Sequence, residues 1–190
     1  MEIKNISILG GADWKETDQT YQDAFETCKL LAQNGYIILN GGGPGVMRAA
    51  TDGAHAGGGT VIGVTYYPDY HHELFLGRDQ NNRVDQEVTT EDYFDRTKEL
   101  LILGDCHIVF RGGTGSISEF GMSWASSRIH KGHQIPLVLY GEFWTDVLEG
   151  FKEHMYMRSG EFKLYKIVKT PQEVLEFVQG LKNVSTPFSN

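Results

Sequence analysis

A glycine-rich stretch with the sequence FRGGTGSISEF, residues 110–120, combines residue types that suit phosphate binding. Glycine lets the backbone approach a ligand closely, and a helix that begins in such a turn directs free N–H groups at an anion. Ser116 adds a hydroxyl donor to these amides. The stretch therefore predicts a phosphate-binding turn that consists of Gly112, Gly113, Thr114, Gly115 and Ser116.

Glu119 is the carboxylate of this stretch, and it follows Gly115 by four residues, which is about one turn of helix. The positive end of the helix dipole favours an ionised carboxylate at this place. An anionic side chain beside a bound phosphate suits chemistry at a ribose. The alternative is a glutamate that only caps the N-terminus of its own helix.

Two other glycine-rich turns, at residues 10–11 and 41–45, follow short apolar segments that are typical of buried strands. Ligands of open α/β sheets bind beyond the carboxyl ends of the strands. The presence of three such turns favours a ligand site. The alternative is that each glycine only allows a tight turn after its strand and binds nothing. Neither the GxGxxG pattern of dinucleotide binding nor the GxxxxGK[ST] pattern of a P-loop occurs, so the turns indicate neither NAD binding nor ATP hydrolysis.

The segments that must position these turns alternate between strand and helix patterns. Apolar segments rich in Ile and Val predict strands over 6–9, 36–40, 60–66, 106–110, 136–140 and 165–168, with an additional short one at 85–88. Helical spacing predicts helices over 18–34, 46–57, 90–103, 143–156 and 171–182. A further helix is predicted from the glycine stretch to about residue 131. Gly35 suits the C′ position of the first helix, and Thr89 or Thr90 the N-cap of the third.

The alternation predicts a single doubly wound α/β domain, a Rossmann-like fold whose mostly parallel sheet carries helices on both faces. We expect this nucleotide-binding domain to span residues 1–182 and residues 183–190 to form a frayed tail. No linker composition divides the chain.

The composition, with 40% hydrophobic and 22% charged residues, is typical of a soluble globular protein. The formal net charge of −8 argues against nucleic acid or an anionic membrane as the main partner, although backbone amides and arginines can still bind an anionic small molecule. The N-terminus lacks a basic segment, and no run approaches the ~18 apolar residues of a membrane span. A cytoplasmic location is therefore expected.

The cysteines and histidines do not have metal-site spacing. Cys28 and Cys106 lie in a helical and a strand pattern, which favours buried reduced thiols. His71 and His72 are adjacent, and adjacent histidines usually point apart, whereas a metal needs three or more converging ligands. We expect no metal.

The segment NGGGPGVMRAATDGAHAGGGTVIGV, followed by an arginine 15 residues before RGGTGSISE, resembles the Lonely Guy (LOG) family. Its members are cytokinin riboside 5′-monophosphate phosphoribohydrolases, and some carry the label of lysine decarboxylase. The family pattern is PGGxGTxxE with an upstream Arg-Lys pair. The resemblance runs from Ile6 to about Val178.

The resemblance implies roles for particular residues. Arg96 falls on the catalytic arginine of the family and Glu119 on its catalytic glutamate. The phosphate-binding turn falls on Gly112, Gly113, Thr114, Gly115 and Ser116, the earlier glycine turn with its methionine on Gly42, Gly43, Gly45 and Met47, and the first nucleotide-contacting loop on Gly11 and Ala12.

Three positions depart from the family pattern. Arg111 stands where the family has proline, which removes a rigid turn and adds a positive charge beside the expected phosphate. Thr97 replaces the lysine of the Arg-Lys pair, and Ser118 replaces the first of two acidic residues. Arg111 is therefore a possible additional phosphate contact or the mark of a branch with another ligand.

The resemblance implies a hydrolase that cleaves the N-glycosidic bond of a nucleoside 5′-monophosphate, AMP or an N6-substituted AMP, to free base and ribose 5-phosphate. Glu119 would stabilise an oxocarbenium-like ribose or orient the attacking water, and Arg96 would position the substrate or support Glu119. No cofactor is required. The alternative is a non-catalytic binder or carrier of a phosphorylated small molecule, like the molybdenum-cofactor carriers that share this fold.

The resemblance also implies a homodimer with shared sites, whose contact helices would lie near 90–103 and 116–130. Phe120, Met122 and Trp124 would then be interface or core residues. The loop at residues 67–83 would cap the base of a nucleotide, which would stack on one of four candidates: Tyr66, Tyr67, His71 and Phe75.

Overall fold

A seven-stranded parallel sheet organises the chain in the computed structural model, which describes residues 2–67, 78–129, 134–158 and 160–181. The elements are β1 (Asn5–Leu9), α1 (Gln19–Gln33), β2 (Ile37–Asn40), α2 (Val46–Ala56), β3 (Val61–Tyr66), β4 (Gln86–Thr90), α3 (Tyr93–Leu103), β5 (Cys106–Val109), α4 (Thr114–Ile129), β6 (Leu137–Tyr140), α5 (Trp144–His154), β7 (Lys166–Val168) and α6 (Pro171–Leu181). The tail predicted over 183–190 lies outside the described residues.

The strand order is β4-β3-β2-β1-β5-β6-β7, so the direction of the chain across the sheet reverses between β1 and β5. Ile6 of β1 is in register with Ile38 of β2 on one side and with Cys106 of β5 on the other. This arrangement confirms the predicted doubly wound, Rossmann-like fold. Its ligand site is expected in the crevice at the reversal.

Side chains that alternate along the strands fill two cores, one on each face of the sheet. Ile6 and Ile8 face a core with α1, α2 and α6, whereas Leu9 faces the core formed with α3, α4 and α5. Each central strand is therefore buried on both faces, which explains its continuous apolar sequence. Phe120 and Trp124 of α4 belong to the second core, with ring centroids 5.1 Å apart.

The third helix starts later than its sequence suggests. Thr89 and Thr90 belong to β4, and the Thr90 hydroxyl donates to the Thr65 carbonyl at 3.0 Å. Asp92 is the N-cap of α3 instead, because its Oδ1 accepts from the amides of Phe94 at 2.7 Å and Asp95 at 2.9 Å. The predicted threonine cap was wrong because the short segment at 85–88 continues as an edge strand through residue 90.

A buried histidine joins β5 to both helices that frame the candidate site. His107 Nε2 lies 2.9 Å from the Leu101 carbonyl, which can only accept, so Nε2 carries the proton and Nδ1 accepts from the Ser123 hydroxyl at 2.7 Å. His107 and Ser123 are each 1% exposed. Burial lowers the pKa of His107 to about 4, so the folded protein holds the neutral ring.

We expect the stability contributed by neutral His107 to be present above pH 6.5 and to be lost as the pH falls towards 4, because the unfolded chain binds the proton more readily. The loss is on the order of 3 kcal/mol of unfolding free energy. Urea unfolding of the wild type and of His107→Gln, which does not titrate, measures it. The difference between the two proteins should shrink on acidification, and parallel pH profiles would contradict this assignment.

Candidate functional site

The three glycine turns meet where the strand order reverses. The Gly11 amide donates to the Arg111 carbonyl at 3.2 Å, which joins the turn after β1 to the turn after β5. The Val46 amide donates to the Gly11 carbonyl at 3.0 Å, which joins the turn after β2 to the same point. Trp14 Nε1 also donates to the Arg111 carbonyl at 2.8 Å. Backbone hydrogen bonds therefore fix the relative positions of the three turns.

A cleft of about 380 Å³ opens at this junction. Nine of the residues assigned from sequence line it: Gly11, Ala12, Met47, Arg96, Gly113, Thr114, Gly115, Ser116 and Glu119. Six further residues complete the lining: Gly10, Asp13, Gly41, Tyr66, Arg78 and Tyr93. The cleft thus combines the start of α4, one ion pair and two aromatic side chains.

The first turn of α4 supplies the amides of the cleft. The first hydrogen bond of the helix runs from the Ile117 amide to the Gly113 carbonyl at 3.0 Å. The preceding amides, those of Thr114, Gly115 and Ser116, therefore have no partner within the helix. Together with the helix dipole they form an environment that attracts an anion.

Arg96 and Glu119 form a buried ion pair beside this turn. Arg96 Nη1 lies 3.4 Å from Glu119 Oε1, and their side chains are only 12% and 6% exposed. Arg96 Nη2 also lies 3.6 Å from the sulfur of Met47. Gly41 leaves space for the guanidinium, because a Cβ at that position would overlap Arg96 Nη2. Three other segments, α4, α2 and the turn after β2, therefore determine where Arg96 lies.

Glu119 is placed for interaction with the cleft rather than for capping. It is the sixth residue of α4, which begins at Thr114, whereas a capping glutamate occupies the third position. The capping alternative therefore does not describe this residue. Burial raises the pKa of Glu119, and the positive charge of Arg96 opposes that rise without cancelling it.

Four assigned glycines lie outside the cleft lining. Gly42, Gly43 and Gly45 are buried, and Gly112 connects β5 to α4. Gly45 has a positive φ of 64°, and a Cβ there would lie 2.4 Å from the Gly11 carbonyl oxygen. Its lack of a side chain allows the turns after β1 and β2 to touch. These glycines affect the shape of the cleft without lining it.

The structure does not bring the Arg111 side chain into the cleft. Its guanidinium carbon lies 5.4 Å from the ring centroid of Phe143, and the residue lines a separate depression at the ends of β6 and β7. Only the Arg111 carbonyl takes part in the junction of the turns. The sequence could not distinguish these directions, because the residue follows a strand at the same edge.

The other two departures from the LOG pattern also have structural explanations. Thr97 belongs to the buried face of α3 and is 1% exposed, so a lysine at this position would have to bury its ammonium group. Ser118 is exposed, and its hydroxyl donates to the Gly115 carbonyl at 2.8 Å. Neither position places a charge in the cleft.

Two further residues of the cleft lining, Tyr66 and Arg78, come from the end of β3 and from a segment with little sequence pattern. Tyr66 ends β3 and lines the cleft, as one of the four aromatic candidates. Arg78 was not predicted, and its Nε lies 3.2 Å from Glu87 Oε1. Tyr67 donates to the same carboxylate at 2.9 Å. The candidates His71 and Phe75 lie outside the described residues.

Tyr93 was also missed by sequence reasoning. It lies three residues before Arg96 on α3, and this spacing places two side chains on one face of a helix. The spacing was therefore a usable signal once Arg96 had been assigned.

The described residues contain no group of three or more His, Cys, Asp or Glu side chains that could hold a metal ion. Across the same residues, no helix combines the length and the apolar character that crossing a membrane requires. Cys28 and Cys106 are both buried and free, and burial raises the pKa of each thiol.

Comparison with known proteins identifies relatives of this fold. The model of the SLOG cluster4 family matches residues 3–149. The probable cytokinin riboside 5′-monophosphate phosphoribohydrolase LOGL2 of Oryza sativa subsp. japonica is 28% identical over 170 residues, which cover 82% of this chain and 64% of that protein.

Two solved structures are similar over nearly the whole chain. The molybdenum cofactor binding protein of the phototrophic bacterium Rippkaea orientalis has a TM-score of 0.71 and 21% identity, with 96% of this chain and 99% of that chain covered. The Moco carrier protein of Chlamydomonas reinhardtii has a TM-score of 0.68 and 22% identity, with coverages of 95% and 98%. Likeness at this level of identity shows the shared fold.

Substitution of the buried carboxylate should change the pH dependence of stability. Because the pKa of Glu119 is raised in the folded protein, the folded state loses stability relative to the unfolded chain as this group ionises. We expect Glu119→Gln to gain stability relative to the wild type between pH 4 and pH 7. Urea unfolding at both pH values measures this, with the exposed Glu153→Gln as the control. A relative loss of stability across that interval would contradict the assignment.

Proposed function

Because the chain belongs to the SLOG cluster4 family, we propose that its cleft binds a phosphorylated small molecule, with the phosphate on the first turn of α4. The observation that carries this proposal is the opening of the Gly113–Ser116 turn into the cleft, directly beside the Arg96–Glu119 pair. Amides at a helix N-terminus bind phosphate through their N–H groups and the helix dipole. Tyr66 and Tyr93 offer aromatic surfaces for a ring system of the ligand.

A carrier or binding protein without turnover is the function that we propose first. The structures of the molybdenum cofactor binding protein and of the Moco carrier protein support it, because their similarity extends over at least 95% of this chain. The buried Thr97 and the neutral Ser118 support it as well, since both lack the charge of the corresponding LOG residues. The ligand class is then a phosphorylated ring compound such as a pterin.

Hydrolysis of a nucleoside 5′-monophosphate is the second candidate, and the Arg96–Glu119 pair favours it. The carboxylate would stabilise positive charge that develops on the ribose as the N-glycosidic bond breaks, or orient the water that attacks the anomeric carbon. Arg96 would favour the ionised form of the carboxylate, in opposition to burial, and would hold the carboxylate in place. The similarity to LOGL2 supports this candidate.

Binding is tested first, by calorimetric titration with AMP, ribose 5-phosphate and inorganic phosphate. We expect Gly115→Asp to weaken binding at least tenfold, about 1.4 kcal/mol, because it places a carboxylate in the exposed first turn of α4. Gly180→Asp, at an exposed glycine of α6, is the matched control and should stay within about twofold. Absence of binding to the wild type, or equal losses in both variants, would contradict the proposal.

An assay of base release distinguishes the two candidates. The folded wild type is incubated with AMP and with an N6-substituted AMP, beside Glu119→Gln and Glu119→Ala. Base release that the variants lose, while they still bind the nucleotide, would establish the hydrolase. Binding without any release by the wild type would establish the carrier.

We also propose that the protein is a homodimer that uses α3 and α4. Large apolar side chains are exposed on both helices: Phe94 and Ile102 on α3, and Ile117, Met122 and Ile129 on α4. Phe120 and Trp124, the other two interface candidates, are instead buried in the core at 2% and 7% exposure. A second copy of the chain would cover the exposed side chains.

Single charges in this surface should dissociate the dimer. We expect Met122→Glu and Ile129→Glu to be monomers, because each would place a carboxylate in the apolar contact. Light scattering coupled to size exclusion measures the mass, with Val147→Glu on the exposed side of α5 as the control. A wild type that is a monomer, or variants that remain dimers, would contradict this proposal.

A further inference from the structure

Tyr93 is the first residue of α3, and it contacts both of the functional elements of the cleft. Its hydroxyl lies 2.8 Å from Ser118 Oγ on α4, and its ring centroid lies 5.7 Å from the guanidinium carbon of Arg96. The residue itself lines the cleft. The resemblance to the LOG family assigned no role to this position.

The hydroxyl contact has a definite direction. Ser118 Oγ donates its proton to the Gly115 carbonyl at 2.8 Å, so the Tyr93 hydroxyl must be the donor to Ser118. A chain of two hydrogen bonds therefore runs from Tyr93 through Ser118 to the Gly115 carbonyl.

This chain ends on a peptide group of the phosphate-binding turn. The Gly115 carbonyl and the Ser116 amide belong to the same planar unit, so a contact that fixes the carbonyl also fixes the direction of the N–H. That amide is one of those without a partner inside the helix. The Tyr93 hydroxyl is therefore linked through Ser118 to a peptide group whose N–H would meet the phosphate.

The ring contact acts on the ion pair. Arg96 lies one turn beyond Tyr93 on α3, and its guanidinium is within the range of a cation–π contact with the Tyr93 ring. Glu119 attracts the guanidinium at 3.4 Å, and Gly41 leaves room for it. The Tyr93 ring borders the guanidinium on a further side and limits the directions in which the Arg96 side chain can point.

We infer that Tyr93 is a positioning residue with two separable contacts: its hydroxyl orients the Gly115–Ser116 peptide for an anionic ligand, and its ring holds Arg96 against Glu119. The hydroxyl contact rests on the proposed function, since it presumes that a phosphate binds at the first turn of α4. The ring contact exists without any ligand, so the two parts have independent readouts.

The hydroxyl contact is tested with Tyr93→Phe, Ser118→Ala and the double variant, titrated with inorganic phosphate and with AMP. We expect each single variant to weaken both affinities five- to tenfold, and the double variant to be no weaker than either single one, because all three break the same chain. Tyr156→Phe, at a fully exposed tyrosine, is the control for the loss of a hydroxyl.

The ring contact is tested by carboxyl-detected NMR titration of Glu119 in the free protein. We expect Tyr93→Leu to raise the pKa of Glu119 further, because Arg96 is no longer held beside it, whereas Tyr93→Phe keeps the ring and leaves that pKa unchanged. Tyr156→Leu is the control, and thermal unfolding verifies that each variant is folded. If Tyr93→Leu does not fold, Tyr93→Ile and Tyr93→Met replace it.

The outcomes separate this inference from the proposed function. Wild-type binding with undiminished affinity in Tyr93→Phe would overturn the hydroxyl contact and leave the proposed function standing. A wild type that binds neither phosphate nor AMP would overturn the proposed function and the hydroxyl contact together. An unchanged Glu119 titration in folded Tyr93→Leu would overturn the ring contact in either case.

Discussion

A buried carboxylate is the constraint on which the cleft depends. Glu119 has only 6% of its side chain exposed, and an isolated ionised carboxylate in such a place is costly unless a cation faces it. Arg96 is that cation, and it must itself be seated in a partly buried position. Gly41 leaves the necessary space, and Met47 and Tyr93 contact the guanidinium. Residues in the turn after β2, on α2 and on α3 thus surround the cation that faces one carboxylate on α4.

The sheet makes this convergence possible. The residues concerned lie at the carboxyl ends of different strands, and only the reversal of strand order between β1 and β5 opens a crevice above them. The Gly11 carbonyl accepts from the Val46 amide and the Arg111 carbonyl accepts from the Gly11 amide, which joins the turns after β1, β2 and β5. Since the turns are held by backbone groups, the start of α4 is oriented before any ligand arrives. Such an arrangement lowers the entropic cost of binding an anion.

Local chemistry made much of the fold predictable. The continuous apolar strands could be predicted without knowledge of tertiary contacts. The same holds for the end of the first helix at Gly35, whose φ of 83° fits a C′ residue. Arg96 and Glu119 were singled out as catalytic residues through the resemblance to the LOG family, and the two side chains meet in the cleft. The start of α3 was misjudged, because hydrogen bonding between β3 and β4 extends to Thr90.

Other features depended on contacts between distant segments. Arg78 enters the cleft from a segment without periodicity, and its position follows from Glu87 on the neighbouring edge strand. The Arg111 side chain could have faced either side of its turn, and the ring of Phe143 marks the side that it takes. The Tyr93 hydroxyl reaches Ser118 only because α3 and α4 lie side by side. Sequence spacing indicates that Tyr93 and Arg96 share one face of α3, but it does not show the contacts between separate segments.

The location of a bound phosphate tests the central claim most directly. The measurement is the change in backbone amide shifts of the labelled protein during titration with inorganic phosphate and then with AMP. We expect the largest saturable changes at Gly113, Thr114, Gly115 and Ser116, with none in the turn at residues 57–59 at the opposite edge of the sheet. Changes confined to the depression around Arg111 and Phe143, or no saturable change at the start of α4, would contradict it.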